Sequence, residues 1–142
     1  MKIDLIDTKI LFYLEENAKL SNTYIGKKLG ISETAVRKRI KKLEEKKVII
    51  NYKANINYKK LGFSNKVIIG IDTNSKDYFI VLNKLKTLDF ITSLNTSSGD
   101  HMIIFEVWIK NLDELNNYLE QINSIGGVIQ SCPSIIHEKY TI

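Results

Sequence analysis

The stretch "ISETAVRKRIKKLEEKK", residues 31–47, decides how the first half of this chain is read. Ser32 has the side-chain oxygen that caps helix N-termini, and the eleven positions from Arg37 to Lys47 hold seven basic residues. Val36, Ile40 and Leu43 are spaced four and three apart, so a helix here has one apolar stripe to pack inward. With about 3.6 residues per turn, the opposite face centres on Thr34, Lys38, Lys41 and Glu45. Arg37 flanks that face on one side, Ala35 and Lys42 on the other. Arg39 lies nearer the apolar stripe and is expected to lay its stem on the core or to reach a local partner. A lysine-rich face is often only solubilising, with Glu44 and Glu45 as partners within the helix. The neighbouring elements therefore decide.

Upstream, Ile6, Ile10 and Leu14, with Leu11 beside them, predict a helix from Asp4 to about Asn17, and Asp4 and Asp7 sit where a helix N-terminus favours negative charge. In "AKLSNTYIGKKLGIS", residues 18–32, Ser21 caps a short helix that opens at Asn22, carries Ile25 and Leu29 on one face and stops at Gly30. Two helices across a glycine-containing turn of about three residues have the spacing of a helix-turn-helix. A basic outward face early on the following helix suits the major groove of duplex DNA. The candidate DNA-binding residues are thus Ser21 and Asn22 on the first of these helices, and Ser32, Glu33, Thr34, Ala35, Arg37, Lys38, Lys41 and Lys42 on the second. Lys38, Lys41 and Lys42 would supply mainly phosphate affinity. Thr34, Ala35, Arg37 and Lys38 sit early enough to reach base edges, with Arg37 the reader of a guanine.

After Lys47 the period changes to two. Ile50, Tyr52, Ala54 and Ile56 alternate with Asn51, Lys53, Asn55 and Asn57, which predicts a half-buried strand acting as a wing or leaving the DNA-binding unit. "YKKLGFSNK", residues 58–66 with Gly62, reads as a hinge. Charge divides at the same place. Residues 1–60 hold 15 Lys and Arg against 7 Asp and Glu, a net +8, and residues 61–142 hold 6 against 9, a net −3. A basic half that meets a polyanion and a second half with another task follow, as domains 1–60 and 61–142. With 44% hydrophobic and 26% charged residues the chain is expected to be globular. Its apolar runs are too short for a membrane span and its start lacks the apolar core of a signal peptide, so a cytoplasmic location is expected. Its single cysteine, Cys132, fits a reducing compartment.

In the second half, "KVIIGIDTN" at 66–74 predicts a strand, and Ser75 is expected to cap a helix running to Leu88 with Phe79, Leu82 and Leu85 inward. A weaker strand at 90–99 and a strong one at 101–110 follow. Asn111 with Glu114 three residues on resembles a capping box and opens a helix through Leu112, Leu115, Leu119 and Ile122, which the glycines at 126 and 127 end. A last strand runs from about Val128 to Tyr140. The order βαββαβ is that of a ferredoxin-like α+β domain, an antiparallel sheet with both helices on one face. Val107, Trp108 and their neighbours make the central strand apolar on both sides, so the open face is expected to be covered by another subunit.

Two stretches carry a resemblance over nearly the whole chain. "DLIDTKILFYLEENAKLSNTYIGKKLGISETAVRKRIKKLEEKKVIINYKANINYKKLGF" (4–63) is similar to the N-terminal unit of the Lrp/AsnC family of transcription regulators, and "SGDHMIIFEVWIKNLDELNNYLEQINSIGGV" (98–128) to its effector domain. The resemblance implies a winged helix-turn-helix joined to a ferredoxin-like domain that dimerises through its sheets. It also implies homodimers assembling into tetramers, octamers or larger rings, and control of promoters by binding operator DNA. No cofactor is implied, but many members respond to an amino-acid effector near a Gly-Asp turn. By position Gly99 and Asp100 match that turn, Ser98 matches a small residue before it, and His101 follows. Where members that bind amino acids often carry a second acid, this chain has Met102, and a thioether cannot hold an α-amino group as a carboxylate does. Asp100 also reads as a plain turn residue, and Ser131 and Ser134 are further residues for the same interface.

Other function classes fit less well. Acyl phosphate hydrolysis on such a sheet needs a fixed cation, and residues 61–142 contain no arginine. Cys132 precedes Pro133 in a strand pattern with no helix N-terminus to activate it as a nucleophile, so His101 or His137 would have little to deprotonate. Metal binding by Asp100, His101, Cys132 and His137 would need a convergence their spacing does not show. No enzyme is expected. The alternatives kept open are an amino-acid sensor acting through acidic protein partners and an architectural DNA binder without sequence preference.

Overall fold

The computed structural model describes residues 2–138 and residue 140, and the chain divides into two compact units, Met1–Asn55 and Ile56–Ile142. The first contains α1 (Leu5–Glu16), α2 (Asn22–Leu29) and α3 (Glu33–Glu45). Each begins with a side-chain cap that satisfies an orphan backbone N–H. The Asp4 carboxylate accepts from the Asp7 N–H at 2.8 Å and the Asp7 carboxylate from the Asp4 N–H at 3.1 Å. Ser21 Oγ accepts from Tyr24 N–H, and Ser32 Oγ from Ala35 N–H, both at 3.1 Å. Gly30, at φ 69°, ends α2 in the left-handed conformation that a side chain disfavours. Ile10, Ile25 and Val36, one from each helix, are fully buried together and joined by Ile6, Leu14, Leu29 and Ile40.

The strand expected over 50–56 does not form. Residues 51–57 are irregular and exposed. Alternation specifies a strand only where an edge is present to pair with it, and this unit is all helix. Tyr52 instead donates its hydroxyl to Glu44 at 2.8 Å, which ties the segment to the end of α3. The phenol is pushed up to about 12, by partial desolvation of its hydroxyl and by that carboxylate.

The second unit runs β1 (Asn65–Thr73), α4 (Tyr78–Leu85), β2 (Ile91–Thr96), β3 (Ile103–Ile109), α5 (Leu112–Asn123) and β4 (Val128–Ile136). The sheet order is β2-β3-β1-β4 with every pair antiparallel, the expected ferredoxin-like arrangement. Val67, Ile69, Ile71, Ile103, Phe105 and Val107 form the fully buried sheet layer, with Val81, Leu85 and Ile122 of the helices in the same core. Burying each such side chain stabilises by about 1.5 to 3 kcal/mol. Pro133 is tolerated because β4 is an edge strand, where a missing N–H breaks no ladder.

Four local expectations change. The segment read as a hinge packs on the sheet: Tyr58 stacks on Trp108 with centroids 4.5 Å apart, and Phe63 meets Tyr58 edge-on. Helix α4 starts at Tyr78, and neither Ser75 nor Asp77 caps it by a side-chain hydrogen bond. Its inward set is Tyr78, Val81, Leu82 and Leu85, also spaced i, i+3, i+4, i+7, so Phe79 falls on the solvent side at 71% exposure. Strand β4 stops at Ile136, short of Tyr140. Finally, the open sheet face is mixed. Val107 belongs to the buried helix side, whereas Trp108, Ile104 and Ile68 share the outer face with a Lys66–Glu106 ion pair at 2.9 Å. Helix α5 follows expectation, with Asn111 Oδ1 accepting from Glu114 N–H at 2.9 Å, although the Glu114 carboxylate accepts from Lys110 N–H at 2.6 Å and not from the cap residue itself.

Candidate nucleic-acid interface

Helix α3 buries Val36 and Leu43 and leaves Thr34, Arg37, Lys38, Lys41 and Lys42 exposed. Ala35 is half-buried beside them. The two arginines have separate tasks. Arg37 stands outward, 62% exposed, and its Nη2 donates to Glu33 Oε2 at 2.9 Å. Arg39 Nη1 donates to Asp4 Oδ2 and to Asp7 Oδ1, both at 2.7 Å. The partners of Arg39 lie on and before α1, so they are not local as expected. The network ties the first helix to the third. Asp4 is held below the usual carboxylate value, first by the Asp7 backbone N–H and then by the Arg39 side chain. Hydrogen bonds to Asp4 and Asp7 in turn raise Arg39.

Lys38 and Lys42 have no ion-pair partner among the described residues, and Lys41 reaches Glu45 only at 4.0 Å. The outward face of α3 therefore presents one arginine and three lysines, with Arg37 and Lys38 toward the N-terminus and Lys41 and Lys42 toward the C-terminal end. Ser21 and Ser32 have their oxygens engaged as caps, which leaves only their hydroxyl hydrogens to donate. Asn22, half-buried, is the first residue of α2.

Sequence reasoning missed two residues that shape this surface. Gly26 is buried within α2, and a Cβ there would lie 2.6 Å from the Ile31 carbonyl oxygen. Its signal was a glycine inside a short helix pattern, which has a packing reason when it is not a stop. Asp7 is buried at 5% exposure, one turn before the buried Ile10. A charge beside the apolar stripe predicts a buried cation to meet it.

In the second unit Ser98, Gly99 and Asp100 are exposed in the turn between β2 and β3. Ser97 N–H donates to the Met102 carbonyl at 2.9 Å and Gly99 N–H to Ser97 Oγ at 3.0 Å, so Ser97 and not Asp100 closes the turn. His101 lays its ring on Gly70, where a Cβ would collide with it, and sets Nδ1 3.2 Å from the Asp72 carboxylate. Ser134 lies opposite Ile68, on the outer face. Ser131 lies opposite the buried Ile71 and donates to Asn123 Oδ1 at 2.8 Å, so it faces the helices and leaves that set. Gln130 Nε2 sits 2.8 Å from Cys132 Sγ. Among the described residues no group of three or more His, Cys, Asp or Glu is placed to hold a metal, and no helix is long and apolar enough to cross a membrane.

A family model described as winged helix-turn-helix DNA-binding matches residues 3–50. The chain is 48% identical over 138 residues to the HTH-type transcriptional regulator LrpA of Pyrococcus horikoshii, an alignment that covers 96% of this chain and 98% of that one. Among solved structures it superposes on E. coli AsnC with a TM-score of 0.87 at 27% identity, covering 100% of this chain and 97% of that one. A Neisseria meningitidis transcriptional regulator, NMB0573, solved as a complex with L-Met, shares the fold at a TM-score of 0.87 and 17% identity, with 99% of this chain and 94% of that one covered.

Proposed function

This chain belongs to the Lrp/AsnC family of DNA-binding transcriptional regulators, and from that premise we propose that it reads a pseudo-palindromic duplex operator through the first turns of α3, as a homodimer or higher oligomer. The observation that carries the reading is the division of labour between the arginines. Arg39 is bound into the fold by two carboxylates, while Arg37 stands in solvent one turn from the N-terminus of α3. There a guanidinium meets the O6 and N7 of a guanine in the geometry of a bidentate pair. Lys38, Lys41 and Lys42 take the phosphates, with affinity falling steeply as salt rises. Thr34 and Ala35 face the bases beside Arg37. Ser21, Asn22 and Ser32 are near enough to the helix N-termini to bond backbone phosphates.

Two further parts belong to the proposal. Ile104 and Ile68, beside Trp108 under Tyr58, give the outer sheet face an apolar component suited to pairing with a second copy, which would space two recognition helices by whole turns of DNA. An amino-acid effector would bind beside Ser98, Gly99, Asp100 and His101. The L-Met complex of a protein with the same fold supports this, and so does the exposure of Asp100, whose carboxylate is open to an α-amino group. The activity is control of transcription, with no catalytic step.

Selection of bound duplexes from a random-sequence pool, at near-physiological salt, tests the reading with wild-type protein and Arg37→Ala side by side. Wild type should enrich a pseudo-palindrome. Arg37→Ala should lose preference at one symmetric position, with binding to the selected site weaker by about tenfold. Retention without base preference, or an equal loss on all sequences in Arg37→Ala, would refute it.

A further inference from the structure

The base pair that α3 prefers depends on where Arg37 points, and its direction is constrained. Across one helical turn its Nη2 donates to Glu33 Oε2 at 2.9 Å, and the two side chains are 62% and 39% exposed. Glu33 is the first residue of α3, directly after the Ser32 cap. The helix N-terminus favours an acid there, and the i, i+4 spacing brings its carboxylate within reach of the outward arginine. On a surface that meets phosphates such a charge opposes binding, because it offsets a cation that would otherwise displace counterions.

We infer that Glu33 is a specificity-determining positioning residue, one that holds the Arg37 guanidinium in the orientation that reads a guanine. The inference rests on the assignment of α3 as the recognition helix. Arginine presents five N–H donors in a rigid planar fork, and guanine takes two of them in one plane. With Nη2 held 2.9 Å from Glu33 Oε2, the guanidinium is kept beside the first turn of α3, and Nη1 and Nε have no partner among the described residues. An arginine without this partner swings to the nearest phosphate, where it adds affinity on every sequence and preference on none. Glu33 gives up some general attraction and makes Arg37 a reader.

The test compares full-length wild type, Glu33→Ala, Glu33→Asp and Arg37→Ala on the selected duplex and its single-base-pair variants, titrated at several salt concentrations. Glu33→Ala removes both charge and partner in a residue that favours helix. Glu33→Asp keeps the charge and shortens its reach by one methylene. Both should reduce discrimination about fivefold or more at the base pair that Arg37→Ala relaxes. Only Glu33→Ala should bind unrelated duplex more tightly, with a salt dependence steeper by about one phosphate contact. Unchanged discrimination in both Glu33 variants, beside a loss in Arg37→Ala, overturns the inference and leaves the recognition-helix assignment standing. Loss at a different base pair makes Glu33 a direct reader and overturns its positioning role. Wild type without base preference overturns both assignments.

Discussion

Gly26→Ala should unfold much of the helical unit and abolish duplex binding, although the same change in an ordinary helix stabilises by about 1 kcal/mol. The new Cβ would lie 2.6 Å from the Ile31 carbonyl oxygen and 3.4 Å from the backbone of Ser32 and Glu33. All three obstacles are main chain, so no rotamer change relieves them. The contact sits where α2 turns into α3, and Ile31 N–H donates to the Gly26 carbonyl at 3.0 Å. Relief would have to move the Ser32 cap and with it the start of α3. Overpacking of a rigid site costs about 1 to 3 kcal/mol, and the lost bond and cap carry the total to about 3 kcal/mol or more. A small three-helix unit has little stability beyond that. Circular dichroism would follow the helices, and the fluorescence of Trp108, the single tryptophan and part of the other unit, would follow the sheet. Helical signal and binding should fall together while the Trp108 transition holds. A variant as stable as wild type would show that α2 and α3 do not approach this closely.

What the sequence made legible follows from how local the physics is. Caps announce themselves within three residues, so Ser21, Ser32 and Asn111 are read correctly from sequence alone. Apolar period also fixes the inward face of α3 through Val36 and Leu43. The same logic fails for α4, where "YFIVLNKL" is apolar nearly all round. Two helical phases fit it, and the one adopted, which starts two residues later and puts Tyr78 and Val81 inward, turns Phe79 outward. Alternation over 50–56 is equally local, but a strand needs an edge supplied from elsewhere. In the candidate site the outward set of α3 was legible because it is the complement of a buried stripe. Arg39 was only half legible: its side of the helix follows from angle, but its partners lie 32 and 35 residues away. Gly26 was not seen: a glycine inside a helix pattern hints at a packing constraint, but the backbone it must clear, at Ile31, lies across the turn and is not named by the pattern.

Arg39→Ala should destabilise the helical unit by about 2 to 3 kcal/mol without altering the base preference of protein that remains folded. The Asp7 carboxylate is 7% exposed and Arg39 is 32% exposed. Removing one partner of a fully buried pair costs about 3 to 5 kcal/mol, because the other charge is left without its counterion, and the partial exposure of Arg39 reduces that figure. Arg39→Lys should recover only part, since one ammonium does not present a fork to two carboxylates. The acid response follows from Asp4, whose folded value lies below its ordinary 3.8. Its contribution is fully present above that pH and is lost as pH falls through the folded value, while Arg39, raised, stays charged throughout. Wild type should therefore lose helical stability as pH drops below about 4. Arg39→Ala should lose less over the same range, the share held by the Asp7 backbone N–H remaining. Urea midpoints of both proteins between pH 3 and 7 decide the matter. A gap between them that does not narrow toward low pH would mean that Arg39 stabilises by packing its stem and not by its charge. Duplex selection with folded Arg39→Ala protein completes the separation of the two arginines: an unchanged motif keeps Arg39 in the fold, and a motif altered at the position governed by Arg37 would place both on the DNA.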